Sequence, residues 1–158
     1  MNTLSEQILA RACGRPVTAG DLVTVRPDRV MLHDSIAPSV ITLLRDDLGV
    51  TRLPEPDQVA VVIDHVAPAA NLATATHQQA LRAWVKEQGI ARFFEGGRGI
   101  CHQVLIEERL VEPGCVVIGT DSHSTTYGAV GAFGTGMGST DVALCLASGR
   151  TWMRVPRA

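Results

Sequence analysis

Four groups of polar residues suited to proton transfer each follow an apolar or glycine-rich stretch of this chain. His33–Asp34 follows VML, Asp64–His65 follows VAVVI, His102 follows GGRGIC, and Asp121-Ser122-His123 follows VVIGT. A carboxylate beside an imidazole holds one tautomer of the ring and raises its basicity. Such pairs are suited to general acid–base catalysis near neutral pH. Each group alone is more simply a strand cap, but the four together at one sheet edge favour a site.

Ser122 lies between an acid and a histidine, which raises the question of a serine nucleophile. Its surroundings, GTDSH, do not match the G-x-S-x-G of a nucleophile elbow. Neighbouring residues on an extended chain point to opposite faces, so Ser122 and His123 are not expected to meet directly. We therefore disfavour a serine hydrolase. We predict instead that Ser122 hydrogen-bonds a substrate or takes part in a proton transfer that a neighbouring residue activates.

The same polar groups also supply nitrogen and oxygen atoms of the kind that ligate divalent metals. The candidate ligands are His33–Asp34, Asp64–His65, Asp121 and His123. None of these pairs has the i, i+4 spacing of a helical zinc motif. A divalent-metal hydrolase therefore stays open as an alternative function.

Five glycines lie between residues 128 and 138, in GAVGAFGTGMG. The stretch contains neither the G-x-G-x-x-G of a dinucleotide site nor the GK[ST] of a P-loop. Close approach of one backbone to another is the simplest role for these glycines. The predicted helix start at Ser139–Thr140 offers free N–H groups that could in addition bind an anionic carboxylate.

The composition is that of an ordinary globular chain without a nucleic-acid or membrane signature. Of its 158 residues 46% are apolar, and 14 basic against 16 acidic residues leave a formal charge of −2. No basic patch favours nucleic acid, and no apolar run approaches the roughly 20 residues of a membrane span. The start, MNTLSEQILARACG, has the pattern of a capped amphipathic helix and lacks the apolar core of a secretory signal. We therefore expect a cytoplasmic protein.

Capping signals and hydrophobic patterns predict alternating helices and strands. The predicted helices are residues 4–12, a segment from Ser35 to Gly49, 72–88, 100–108 and 139–148, with Ser35 and either Ser139 or Thr140 as N-caps. The predicted strands are 21–25, 59–63, 93–95, 115–119 and a last one from residue 151. This alternation predicts an α/β fold with a mostly parallel sheet flanked by helices. Ligands bind such sheets at the carboxyl ends of the strands, where the polar groups fall.

Four ordered segments of the chain together resemble the aconitase and isopropylmalate dehydratase hydro-lyases. They are DRVMLHDSIAP, VVIDHVAPA, GRGICHQVLIEE and VIGTDSHSTTYGAVGAFGTGMGSTDVALCLASG. The first and last are closest to the branch that contains the large subunits of prokaryotic 3-isopropylmalate dehydratase and homoaconitase. His33 supports that branch, because the aconitase branch has a glutamine in its place.

The resemblance implies a fold, a reaction and roles for individual residues. Residues 1–158 would be a single aconitase-like α/β domain, the N-terminal part of a longer large subunit that works with a small subunit. The reaction would be the reversible dehydration of a hydroxy di- or tricarboxylate, with 3-isopropylmalate favoured. By position in the motifs, the proton-transfer groups would be Asp64, His65, His102, Asp121 and His123. The substrate-binding residues would be His33, Asp34 and Ser122.

The chain departs from the family pattern in its cysteines. The resemblance implies a [4Fe-4S] cluster held by three cysteines, two of them in a CxxC pair, whereas the cysteines here are scattered at positions 13, 101, 115 and 145. We therefore expect the cluster ligands to lie outside this chain and the chain alone to be inactive. Next to the signature, DSHSTTYG stands where the branch commonly has DSHTCTYG. A non-catalytic module that binds carboxylates or a partner is a second alternative.

Overall fold

A computed structural model describes residues 2–157, and its centre is a five-stranded parallel sheet. The strands are β2 (Arg29–His33), β3 (Val59–Val62), β4 (Arg92–Phe94), β5 (Val116–Gly119) and β6 (Phe133–Gly136). They lie in the order β4-β3-β2-β5-β6. Two further strands, β1 (Leu22–Val25) and β7 (Thr151–Arg154), form a separate antiparallel pair. The predicted α/β class with a mostly parallel sheet is confirmed.

Five α-helices connect and cover the strands: α1 (Leu4–Cys13), α2 (Ala37–Thr42), α3 (Leu72–Gln88), α4 (Cys101–Glu107) and α5 (Ser139–Ser148). Helix α1 begins with a capping box, in which the side chains of Thr3 and Glu6 each accept a hydrogen bond from the other residue's backbone N–H. Asn71 caps α3 by accepting the Thr74 N–H, and Gly89 ends that helix in the left-handed conformation. The predicted bounds of α3 are thus confirmed, and α1 ends at Cys13, one residue beyond its predicted end.

Two predicted N-caps are wrong. The hydroxyl of Ser35 lies 2.9 Å from Nδ1 of His33, and Ile36 occupies the cap position of α2 without a side-chain hydrogen bond. The cap of α5 is Gly138, again without a side-chain bond, so neither Ser139 nor Thr140 caps that helix. A serine beside a buried imidazole has a competing partner, which local capping signals do not reveal.

The central strands are buried on both faces, as parallel sheets in α/β proteins are. Alternate residues of β2 show the division: Val30 and Leu32 belong to the larger apolar cluster, whereas Met31 belongs to a second cluster on the other face. All three are fully buried. The sheet is therefore a rigid base for the residues at its carboxyl edge. None of the helices within residues 2–157 has the length and apolar character required to cross a membrane.

Strand order decides which loops meet at that edge. The chain runs from β2 outward to β3 and β4, then returns to the other side of β2 for β5 and β6. The connections after β2 and β5 therefore diverge in opposite directions, which leaves a crevice between them where α/β sheets bind ligands. His33 ends β2, Asp64 comes two residues after the end of β3, and Asp121 two residues after the end of β5.

Candidate active site

His65 lies at the centre of the polar cluster on the carboxyl edge. Its Nδ1 is 2.6 Å from Oδ1 of Asp64, and its Nε2 is 3.0 Å from Oδ2 of Asp121. Its ring stacks on that of His33 at 3.7 Å between centroids, with 13° between the planes. Both ring nitrogens face carboxylate oxygens, so both hydrogen bonds form only when the ring carries two protons.

The carboxylates favour a charged His65 beside a neutral His33. Burial opposes the charge on His65, but hydrogen bonds and charges from Asp64 and Asp121 outweigh burial and raise its pKa. Burial would also raise the pKa of Asp121, yet hydrogen bonds from His123 and His65 hold that pKa well below its usual range. Burial, reinforced by the charge of His65, lowers the pKa of His33. The cluster thus holds one proton donor, His65, between the carboxyl groups of Asp64 and Asp121.

We expect the ring signals of His65 to titrate above pH 6.5 and those of His33 and His102 below it, in NMR titrations of the chain. Asp121→Asn should lower the midpoint of His65. Because the folded-state pKa of His65 exceeds the unfolded value, its ion pairs stabilise the fold fully below about pH 6.5. That contribution is lost as the pH rises through the folded-state pKa. A His65 midpoint below 6.5 would contradict the proposed pairing.

Asp64 also anchors the start of α4. Its Oδ2 accepts the backbone N–H of Cys101 at 2.6 Å, while its Oδ1 faces His65. The positive end of a helix stabilises a carboxylate placed in this way. Burial, with the charge of Asp64, raises the pKa of the Cys101 thiol, which is fully buried. Cys101 is therefore held as a neutral thiol beside the site.

His102 approaches Asp121 from the other side of the cluster. Its Nε2 lies 3.6 Å from Oδ2 of Asp121, and its Nδ1 lies 3.1 Å from the hydroxyl of Tyr127. Burial lowers the pKa of His102 and outweighs the opposing effect of Asp121. His102 is therefore a neutral ring whose Nε2 is buried without a hydrogen-bond partner among residues 2–157.

Asp34 organises the turn that presents the Asp64–His65 pair. Its Oδ1 accepts the N–H groups of Asp64 and His65 at 3.2 and 2.9 Å, and its Oδ2 accepts that of Val66 at 3.3 Å. The Gln78 amide donates to the same Oδ2 at 3.0 Å. The carboxylate is only 3% exposed and both oxygens are occupied. We therefore assign Asp34 a positioning role in place of the predicted substrate contact.

The other two predicted substrate residues differ in access to solvent. His33 is buried, with Ser35 Oγ on Nδ1 and the Thr120 carbonyl 3.3 Å from Nε2. Ser122 is exposed at the start of a 3₁₀ segment, Ser122–Val130. His123 is exposed beside it, with Nδ1 2.8 Å from Oδ1 of Asp121. Ser122 and His123 thus form the solvent-exposed lip of the site, and the buried histidines are His33 and His102.

Three glycines of β5 and β6 let the 3₁₀ segment lie directly against the sheet. A Cβ at Gly119 would collide with the Ser124 hydroxyl, and one at Gly134 with the Ser124 carbonyl. A Cβ at Gly136 would lie 2.5 Å from the backbone oxygen of Asp121. The predicted role of the glycines between residues 128 and 138, close backbone approach, is confirmed for Gly134 and Gly136. Asp121 and His123 depend on that approach for their placement.

Gly136→Ala should destabilise the chain by about 1–3 kcal/mol, because the added methyl group meets backbone that cannot rotate away. The matched control is Gly128→Ala in the same region, where a Cβ meets nothing within 4 Å. Urea unfolding of both variants measures the difference. Equal stabilities would show that the close approach at Gly136 is not required.

The family of the chain is shown by comparison with known proteins. A model of the aconitase family (aconitate hydratase) matches residues 6–158. The chain belongs to the aconitase family. The resemblance found from four motifs is thereby confirmed.

Relatives in the aconitase family are similar over nearly the whole chain. The 3-isopropylmalate dehydratase large subunit of Herpetosiphon aurantiacus is 59% identical over 155 residues, which are 98% of this chain and 37% of the relative. The homoaconitase large subunit of Thermus thermophilus is 61% identical over 156 residues, which are 99% of this chain and 37% of the relative. The chain therefore spans about 37% of the length of these relatives.

The residues described here do not fit the iron–sulfur cluster implied by the family resemblance. Cys101 is at the active-site edge, Cys13 ends α1, Cys145 is inside α5, and Cys115 precedes β5 at the opposite edge of the sheet. Within residues 2–157, each potential metal-binding group with ligand atoms within 4.8 Å contains at most one cysteine. Burial raises the pKa of Cys145 to about 12, which further disfavours a thiolate there. Three thiolates therefore do not converge in this part of the chain.

The family motifs indicate no role for Gln78 or Tyr127, two residues that support the site, although Tyr127 lies within the fourth motif. Gln78 lies on the buried stripe of α3 with Leu81 and Val85. A polar residue at an i, i+3, i+7 position of an apolar stripe is a signal that could have marked it. The only tyrosine of the chain, Tyr127, is fully buried beneath the 3₁₀ segment. No local pattern predicts its contact with His102, because 25 residues separate them.

Proposed function

We propose that this chain supplies one wall of the active site of a hydro-lyase that reversibly dehydrates a 2-hydroxy di- or tricarboxylate. The observation that carries the proposal is His65, held between Asp64 and Asp121 in a chain of the aconitase family. Loss of a hydroxyl group requires a proton at the leaving oxygen, and hydration requires its removal. A histidine whose pKa is raised by two acids suits both directions.

Each side chain of the site has a different role in proton transfer. His65 holds the proton that goes to the substrate hydroxyl, and Asp64 and Asp121 stabilise the charged ring before transfer. His33, stacked at 3.7 Å, limits the positions of the His65 ring. The exposed hydroxyl of Ser122 and the ring of His123 are the groups on the lip that can meet a substrate carboxylate.

The favoured substrate is 3-isopropylmalate. The similarity to the large subunits of a 3-isopropylmalate dehydratase and a homoaconitase supports this substrate class. His33 supports the isopropylmalate-like branch of the resemblance. We further propose a place in leucine biosynthesis, a small subunit and remaining large-subunit domains as partners, and a [4Fe-4S] cluster whose cysteines lie outside residues 2–157.

A chimeric large subunit tests the proposed function. In this chimera, the matched segment of the Thermus thermophilus homoaconitase large subunit is replaced by the present chain, to which it is 61% identical. We expect the chimera, purified without oxygen together with the Thermus small subunit, to dehydrate 3-isopropylmalate or to hydrate homoaconitate. The unmodified Thermus enzyme is the control. A folded, cluster-containing chimera that converts neither acid would refute the proposal and favour a non-catalytic binding module.

A divalent-metal hydrolase has weaker support. His33, His65 and Asp121 do bring possible ligand atoms within 4.8 Å of one another. In the structure, however, both nitrogens of His65 are already bonded to carboxylates. Hydrolysis of a phosphomonoester by the chain with added zinc or manganese would restore this alternative.

A further inference from the structure

The hydroxyl of Tyr127 makes one hydrogen bond within residues 2–157, and its partner is His102. Its hydroxyl is 3.1 Å from Nδ1 of His102, and the two rings meet edge to face at 5.3 Å with 71° between their planes. The tyrosine is fully buried, and Gly134 provides space for it, since a Cβ there would lie 3.0 Å from the Cβ of Tyr127. The ring is thus held in one position against His102.

The direction of this hydrogen bond follows from the partners available to each atom. A tyrosine hydroxyl can donate or accept, and a neutral imidazole has one N–H and one bare nitrogen. If Nδ1 donated, the buried O–H of Tyr127 would have no acceptor within residues 2–157, and the bare Nε2 would face the Asp121 carboxylate. If the hydroxyl donates to Nδ1, the proton of the ring is on Nε2. The hydroxyl of Tyr127 then has its acceptor, and the Nε2–H faces a carboxylate oxygen of Asp121 at 3.6 Å, which is electrostatically better than a bare nitrogen facing an anion.

We propose that Tyr127 is a positioning residue that holds His102 in the Nε2–H tautomer. The inference that this matters for turnover rests on the proposed function, whereas the tautomer itself does not. The Nε2–H is directed at Oδ2 of Asp121, the oxygen that also meets Nε2 of His65. A neutral donor at this place keeps the Asp121 carboxylate aligned with His65 and leaves the mobile proton on His65.

The tautomer can be observed directly in the chain labelled with nitrogen-15. Long-range proton–nitrogen NMR spectra distinguish a protonated from a bare ring nitrogen. We expect Nε2 of His102 to carry the proton in the natural chain and Tyr127→Phe to abolish this preference. A proton on Nδ1 in the natural chain overturns the proposal, and so does a folded Tyr127→Phe chain with an unchanged Nε2–H tautomer. Because the first observation needs no variant, the experiment decides even if Tyr127→Phe does not fold.

Kinetics of the chimeric large subunit test the consequence for turnover. Tyr127→Phe should lower kcat by roughly 10–100-fold with little change in KM, as is typical when a partner that orients a functional histidine is lost. The control is Thr151→Val, which removes a buried hydroxyl at β7, on the separate two-stranded sheet. If Tyr127 acts through His102, Tyr127→Phe should not lower kcat any further in a variant that already carries His102→Gln. Additive losses would show a merely structural tyrosine, and an inactive chimera with the expected tautomer would count against the proposed function alone.

Discussion

Replacing His65 with alanine should lower turnover of the chimeric large subunit by about 10²–10⁴-fold, the usual cost of losing a proton-transfer group. Above the folded-state pKa of His65, where its ion pairs no longer contribute, stability should change little, because the side chain is one-third exposed and lies outside both apolar clusters. His65 is also the one group among residues 2–157 that hydrogen-bonds both Asp64 and Asp121 through its ring. Steady-state kinetics and thermal unfolding of the same preparation measure the two effects separately.

His77→Ala is the matched control, since His77 is exposed on α3 and belongs to none of the motifs. It should leave turnover and stability unchanged. His123→Ala should also reduce turnover far more than stability, because its side chain is 80% exposed and, among residues 2–157, its ring hydrogen-bonds only Asp121. A folded His65→Ala enzyme with full activity would show that this histidine is structural.

Asp34→Ala should destabilise the isolated chain by about 3–5 kcal/mol, in the range for breaking a buried hydrogen-bond network. The carboxylate accepts three backbone N–H groups and the amide of Gln78, and each donor left unpaired in the interior costs roughly 1–3 kcal/mol before water reaches it. The Asp64–His65 turn would lose its anchor, so activity in the chimera should fall with stability. Urea unfolding monitored by circular dichroism gives the free-energy difference.

Two variants distinguish the loss of the buried hydrogen bonds from a general effect of charge on the free energy of unfolding. Asp47→Ala removes an exposed carboxylate at the end of the π-helical turn after α2 and should change the free energy of unfolding little. Gln78→Leu removes one of the four donors to Asp34 and should cost less than Asp34→Ala. An Asp34→Ala chain as stable as Asp47→Ala would mean that the hydrogen bonds to Asp34 do not hold the turn.

Local signals predicted most elements of the fold but not β2 or β6. Asn71 and Gly89 bound α3 as predicted, because capping residues act on the backbone next to them. The strand β6 has the sequence FGTG, and glycine has little intrinsic tendency to form strands. It forms because β5 supplies a parallel partner along all four residues. A strand whose stability comes from its neighbour leaves a weak signal in its own sequence.

The sequence by itself determined the family, the α/β class and the placement of acids and histidines at strand ends. These properties follow from residue type and local order along the chain. Only the tertiary structure decided that His65 joins Asp64 to Asp121, that Asp34 is buried under the turn, and that Tyr127 contacts His102. Such contacts connect residues that lie far apart in sequence, at distances set by strand order and by the close approach that Gly119, Gly134 and Gly136 permit. The polar residues of the site are therefore encoded locally, whereas the hydrogen bonds between them depend on which strands become neighbours.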